Sequence, residues 1–187
     1  MNILVDKLPT DYEGLKINTN FRSFILFELL MQDREIEKED KIALALKLFY
    51  KDYPMDLKKG IEGILWFYSQ GKSKKLENQE EKKQKSNKKK IYSYEHDANL
   101  IYTAFLDQYG VDLNDIDYLH WFKFKSMFEG LKSDNKICEI MGYRAIDISK
   151  IKDKEEKKRY KKLQREYALP DDRTEEEKEQ DFADAFW

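Results

Sequence analysis

Residues 118–131 read YLHWFKFKSMFEGL, the densest aromatic stretch of the chain and the home of one of its two histidines. On a helix advancing about 100° per residue, Trp121, Phe124, Met127, Phe128 and Leu131 share one broad face, with Tyr118 and Phe122 on its shoulder. Lys123 and Ser126 fall on the opposite side. The spacing predicts a core helix that starts at Tyr118. His120 falls inside the apolar sector, which predicts a packed, hydrogen-bonded imidazole and not a solvated base, because buried polar groups are paired.

Helical periodicity continues on both sides of this stretch. Upstream, Thr19 or Asn20 can cap FRSFILFELLMQ, where Phe21, Phe24, Ile25, Phe27 and Leu29 give a wide apolar face. EDKIALALKLFY repeats the pattern with Ile42, Leu46 and Phe49, and Pro54 disfavours helix at Tyr53. Asp56 is placed to cap LKKGIEGILWFYSQ, with Gly71 as its C′ residue. Ser93 is a candidate cap for YEHDANLIYTAFLDQYG, whose buried stripe is Ala98, Ile101, Tyr102, Phe105 and Tyr109 and whose stop is Gly110. NKICEIMGYR reads as a shorter helix. DKEEKKRYKKLQREYAL follows, with acids early and bases late in agreement with the helix dipole. Its sparse apolar residues, Tyr160, Leu163 and Tyr167, predict a helix riding on the surface. The chain opens differently: NILV and LKINTNF flank turn signals at Pro9 and Gly14, which predicts a small β-hairpin. The expected core gathers Trp66, Phe67, Phe105, His120, Trp121, Phe124 and Phe128.

Composition agrees with a mainly α fold: a helical, bundle-like domain over residues 1–170 with a small N-terminal β-hairpin. Seven glycines and three prolines in 187 residues are too few for an all-β protein built on tight turns. Charged residues make up 39% against a usual quarter, so much of the helical surface must be solvated. A single cysteine excludes an internal disulfide and fits a reducing compartment. The N-terminal residues do not read as a signal peptide, and no apolar run approaches the roughly 18 residues of a membrane span. The net charge of -2 offers no global attraction to nucleic acid.

Two segments depart from this pattern. Residues 72–90 carry nine lysines against three glutamates, a local balance of +6, and Leu76 is their only apolar residue. Such a segment buries too little to offset its ordering entropy, which predicts a mobile loop or a solvated helical extension. The acidic tail, residues 171–187, has eight acids against Arg173 and Lys178, a balance of -6. Phe182, Phe186 and Trp187 stand there at i, i+4 and i+5, one apolar face for a partner's groove or for the chain's own domain.

Motifs for chemistry are missing their essential parts. WFYSQGKS, ending at Ser73, has Trp66 where a phosphate loop needs glycine, and it closes a helix where a phosphate loop opens one. His96 and His120 belong to different elements and Cys138 is alone, so no metal-ligand spacing exists. EHD, residues 95–97, reads as the polar first turn of a helix. No carboxylate sits in an apolar context that would tune it for acid–base work. The expectation is a non-enzymatic protein without cofactor or metal.

DLNDIDYLHWFKFKSMFEGL resembles the signature of the bacteriophage gene-product-fifteen family, found in tailed phages and prophages. LP at residues 8–9, INTNFR ending at Arg22, LWFYSQGK, HDANLIYTAFLDQYGVDL, IMGYRAIDISKI and YKKLQREYALP are similar to the rest of that family's pattern, in order, over most of residues 1–170. The lysine-rich segment stands as a variable insert between its two blocks. The resemblance implies a phage morphogenesis protein of the host bacterial cytoplasm, encoded just before the tape-measure gene and similar to the short product of a frameshifted pair. It implies a tail-assembly chaperone that coats the tape-measure protein, with tail-tube subunits as a candidate second partner and no catalytic residues. Shielding apolar helix faces from aggregation would be its mechanism. A structural tail or connector subunit is the alternative. A nucleic-acid-binding regulator is favoured only by the lysine segment.

Overall fold

The computed structural model describes residues 1–69 and 90–170. It is mainly helical, with a two-stranded antiparallel hairpin near the N-terminus. The hairpin is shorter than the sequence suggests. Strands β1 (Asp11–Tyr12) and β2 (Leu15–Lys16) pair Asp11 with Lys16 and Tyr12 with Leu15, around Glu13 and Gly14, both at positive φ. Residues 2–5, expected as a strand, instead close on themselves: the amides of Val5 and Asp6 donate to the Asn2 carbonyl, and Leu4 and Val5 face solvent. Among the described residues no strand pairs with that segment, and local turn bonds satisfy part of its backbone.

Among the described residues seven α-helices follow: α1 (Phe21–Gln32), α2 (Lys38–Phe49), α3 (Leu57–Tyr68), α4 (Ala98–Tyr109), α5 (Trp121–Glu129), α6 (Lys136–Ala145) and α7 (Lys154–Glu166), with a 3-10 turn at Ile148–Lys150. Most ends have a legible cause. Asp56 caps α3 through the Lys59 amide, and Asp153 caps α7 through the Glu156 amide. Gly110 ends α4 at a φ of 62°, the left-handed geometry that glycine adopts without a Cβ clash. Ser93 caps the turn before α4, accepting from the Glu95 and His96 amides, and the helix proper starts at Ala98. Gly71 lies outside the described residues.

The core helix of the central stretch begins at Trp121, three residues later than its periodicity suggests. His120 is its N-cap, and the cause lies 100 residues away. The N-H of Phe21, first residue of α1, donates to the Leu119 carbonyl at 2.9 Å, and the N-H of Trp121, first residue of α5, donates to the Thr19 carbonyl at 2.8 Å. Asn20 and His120 thus face each other in an antiparallel bridge, each capping its own helix. All four otherwise unpaired amides at each helix start are satisfied, two by the cap's carbonyl, one by its side chain and one by the opposite strand.

This pairing sets α1 and α5 side by side and aligns their rings. Phe124 is fully buried, stacked on Phe21 at 5.1 Å and Phe105 at 5.0 Å. Phe24 stacks on Phe67 at 4.9 Å and Trp121 at 5.2 Å. Phe67, Phe105, Trp121, Phe124, Phe128 and the imidazole of His120 are buried. Trp66, expected in the core, is half-buried at its rim against Tyr12, because α3 turns Gly60, Gly63 and Phe67 inward. Both glycines permit close approach: a Cβ on Gly63 would run into the Tyr50 hydroxyl and the Tyr12 ring. Ile42 and Ala98, placed on inward faces by periodicity, lie near the N-terminal ends of α2 and α4 and are exposed, while Ala45 and Ala104 are buried.

The stacking makes the indole a core group. Trp121→Ala is expected to cost about 3–5 kcal/mol, as for buried aromatic truncations generally, read as a fall in the denaturation midpoint. An unchanged midpoint would place the ring outside the core.

Candidate functional site

Several buried polar groups are bonded within the fold. The Nδ1 of His120 accepts from the Phe122 amide at 3.2 Å, which leaves the proton on Nε2 to be donated to the Pro9 carbonyl at 3.1 Å. One neutral tautomer therefore caps α5 and ties down the N-terminal segment. Burial lowers its pKa below 6.5, the Pro9 bond opposes that shift, and Lys123 adds to it. Tyr50 donates its hydroxyl to the Gly60 carbonyl at 2.7 Å, and burial with nearby Tyr12 pushes its pKa up to about 12. Burial also raises the Tyr68 and Tyr94 phenols, with the Glu28 carboxylate adding to both, so each remains a proton donor at neutral pH. Cys138 is half-buried, and burial raises its thiol.

Asp97 and Arg144 form a buried ion pair. Arg144 Nη1 and Nη2 donate to the two Asp97 carboxylate oxygens at 2.6 and 3.0 Å, and both side chains are almost wholly shielded from solvent. The guanidinium also donates from Nε to the Tyr167 carbonyl at 2.7 Å and from Nη1 to the Ile91 carbonyl at 3.0 Å. Asp97 accepts in addition from the Ser93 amide at 2.9 Å. The pair joins the start of α4, the segment before it and the end of α7. Removing one partner of such a pair costs about 3–5 kcal/mol by leaving the other charge buried alone. The EHD stretch thus ends in a structural carboxylate. Arg144 carried a readable signal, since Ile137, Ile140 and Arg144 at i, i+3 and i+7 share the buried face of α6.

Among the described residues no group of three or more His, Cys, Asp or Glu is placed to hold a metal, and no helix is long and apolar enough to cross a membrane. What the surface offers is faces. On α3, Leu57, Ile61 and Leu65 are 49%, 39% and 50% exposed, and with Tyr68 they fall within an arc of about 80°. Their alignment on one side of the helix makes this a continuous apolar stripe and not a scatter of exposed leucines. A separate buried cluster of Phe27, Leu30 and Ala45 has Ile36, Leu48 and Ile64, the last from α3, packed against it. On α7, Lys158, Lys161, Lys162 and Arg165 form a cationic face. Phe182, Phe186 and Trp187 lie outside the described residues, as do positions 72–89 of the lysine-rich segment. Of that segment only Lys90 is described, its ammonium donating to Gln32.

The family model of the Bacteriophage Gp15 protein matches residues 4–169. The chain belongs to this Gp15 family. No curated protein and no solved structure matches it. Membership makes this Gp15 chain a phage structural or morphogenesis protein. The matched span contains both helix starts, the Asp97–Arg144 pair and the α3 face, and stops short of the acidic tail.

The His120 cap fixes a pH dependence. In the unfolded chain the imidazole titrates near 6.5, and in the Gp15 fold it titrates lower. Its contribution is therefore complete above about pH 6.5 and declines as pH falls from there toward the folded value, where the unfolded state binds a proton that the native state resists. A protonated Nδ1 would also face the Phe122 N-H and the positive end of α5. His120→Asn keeps a capping oxygen without a titrating group, so it is expected to remove this part of the acid-side loss of stability. Parallel stability–pH curves for the variant and the natural chain would contradict the assignment.

Proposed function

We propose that this Gp15-family chain is a tail-assembly chaperone that binds the phage tape-measure protein, and that it works by binding, without catalysis or cofactor, in the host cytoplasm. Family membership supports the morphogenetic setting, and the resemblance of its motifs to chaperones encoded before the tape measure supports the partner. One geometric observation carries the mechanism: the apolar stripe of Leu57, Ile61 and Leu65 on α3, at i, i+4 and i+8. A stripe of that spacing suits the apolar face of another helix, packed ridge into groove. A long helical protein awaiting its tube subunits exposes such faces, and covering them prevents aggregation. The aromatic residues Phe182, Phe186 and Trp187 are a second proposed contact, and tail-tube subunits a second proposed partner.

Co-expression with the tape-measure protein encoded by the same phage tests the reading. The full chain is expected to keep that protein soluble and to co-purify with it. Replacing Leu57, Ile61 and Leu65 by lysine, all at exposed positions, is expected to reduce the recovered complex about tenfold or more, equivalent to about 1.4 kcal/mol. Failure of the natural chain to solubilise or co-purify the tape measure would overturn the chaperone reading. An undiminished lysine variant would remove the α3 face and shift the contact to Phe182, Phe186 and Trp187. Stoichiometric protein in purified virions would favour a structural subunit.

A further inference from the structure

Helix α7 carries two opposite faces. Tyr160, Leu163, Gln164 and Tyr167, at i, i+3, i+4 and i+7, hold it to the body: the Gln164 amide donates to the Tyr143 and Ile146 carbonyls, each at 2.8 Å, and both tyrosine rings lie against Tyr143. Displaced by two residues, and so about 200° around the helix, Lys158, Lys161, Lys162 and Arg165 repeat the same spacing. All four are exposed, and a shallow concavity runs between them, lined also by Arg159 and by one acid, Glu155. Among the described residues none of the four has a carboxylate partner within salt-bridge distance. Over its length α7 has seven cations against three carboxylates, a balance of +4.

Four residues separate α7 from the most acidic part of the chain, residues 171–187, with a balance of -6. We propose that the cationic face of α7 is the docking site of this acidic segment of the same chain. The charges are complementary, and reach is ample: 13 helical residues span about 20 Å, whereas 17 extended residues span up to roughly 60 Å. Single exposed ion pairs are weak, so the contact rests on several acting together over a short tether that keeps the local concentration of acid high. Docking shields the basic face from other polyanions, nucleic acid included, while the segment is in place. It needs only the two charge patterns and holds whether or not a tape-measure protein is the partner.

The test uses the full chain with Cys138→Ser and Ala185→Cys, carrying a spin label at position 185. At about 10 mM salt, the α7 amides are expected to be broadened by the label. The broadening is expected to fall several-fold at about 1 M, as the screening length drops from roughly 30 Å to roughly 3 Å. Charge reversal by Lys158→Glu, Lys161→Glu and Lys162→Glu is expected to abolish it with unchanged core resonances. If that variant does not fold, the salt titration of the unreversed chain decides alone. Absence of broadening at low salt, or broadening that survives high salt or reversal, overturns the proposal. Mixing isotope-labelled chain without spin label with spin-labelled chain without isotope is expected to show no broadening, and broadening there would make the occupant a second copy and overturn the intramolecular form.

Discussion

The fold depends on a reciprocal cap between two helix starts. Each helix uses the other's approach strand to satisfy its first amide, Phe21 to Leu119 and Trp121 to Thr19. A buried helix start without partners would leave several donors desolvated, at about 1–3 kcal/mol each. Meeting that demand reciprocally leaves little freedom in where α1 and α5 begin. Further bonds lock the register: Thr19 and Tyr118 share a hydroxyl contact at 2.8 Å, Asn20 donates to the Asp117 carbonyl, and Arg22 donates to the carbonyls of Leu113 and Asn114. With the starts fixed, Phe21, Phe24, Trp121 and Phe124 meet as stacked rings, and Phe105 and Phe67 close the cluster from α4 and α3. Backbone bonding sets the geometry that aromatic burial then stabilises.

The Asp97–Arg144 pair does similar work where apolar packing is thinner. Helix α7 buries no residue, so its attachment relies on polar anchors, of which Arg144 to the Tyr167 carbonyl and Gln164 to the end of α6 are the clearest. Both histidine capping and the buried pair use residue types that elsewhere perform catalysis. Here each is saturated by structural bonds. On the surface of the described residues lie an apolar stripe on α3 and a cationic face on α7.

Local signals were readable wherever the cause was local. The spacing of Trp121, Phe124 and Phe128 gave the buried face of α5, Asp56 was legible as a cap and Gly110 as a stop, and the cap of α1 was narrowed to Thr19 or Asn20, of which Asn20 serves, because each acts within a turn of its own position. His120 was legible as buried and paired, but its capping role was hidden. Tyr118 and Leu119 extend the apolar pattern upstream, and only the bridge to Asn20 shows that the helix has not yet begun. The strand expected in residues 2–5 failed for the converse reason: its residues suit a strand, but among the described residues no partner strand pairs with them. Arg144 was missed although its spacing from Ile137 and Ile140 marks an inward face, since composition alone counts arginine as surface. Of the two surface faces, the charge of α7 was visible in the sequence. The α3 stripe was not, because Leu57, Ile61 and Leu65 look like core until the inward turn of Gly60, Gly63 and Phe67 is known.

Native-state hydrogen exchange at the two helix starts tests the reciprocal cap most directly. First-turn amides normally exchange through fraying, as those of Lys38 and Glu39 should at the start of α2, where no side chain caps the helix. If the starts of α1 and α5 are bonded to each other, the amides of Phe21 and Trp121 will exchange as slowly as those of Phe105 and Phe124 in the core, through global unfolding. Exchange of Phe21 and Trp121 at the rate of the α2 start would contradict the reciprocal cap and the fold organisation built on it.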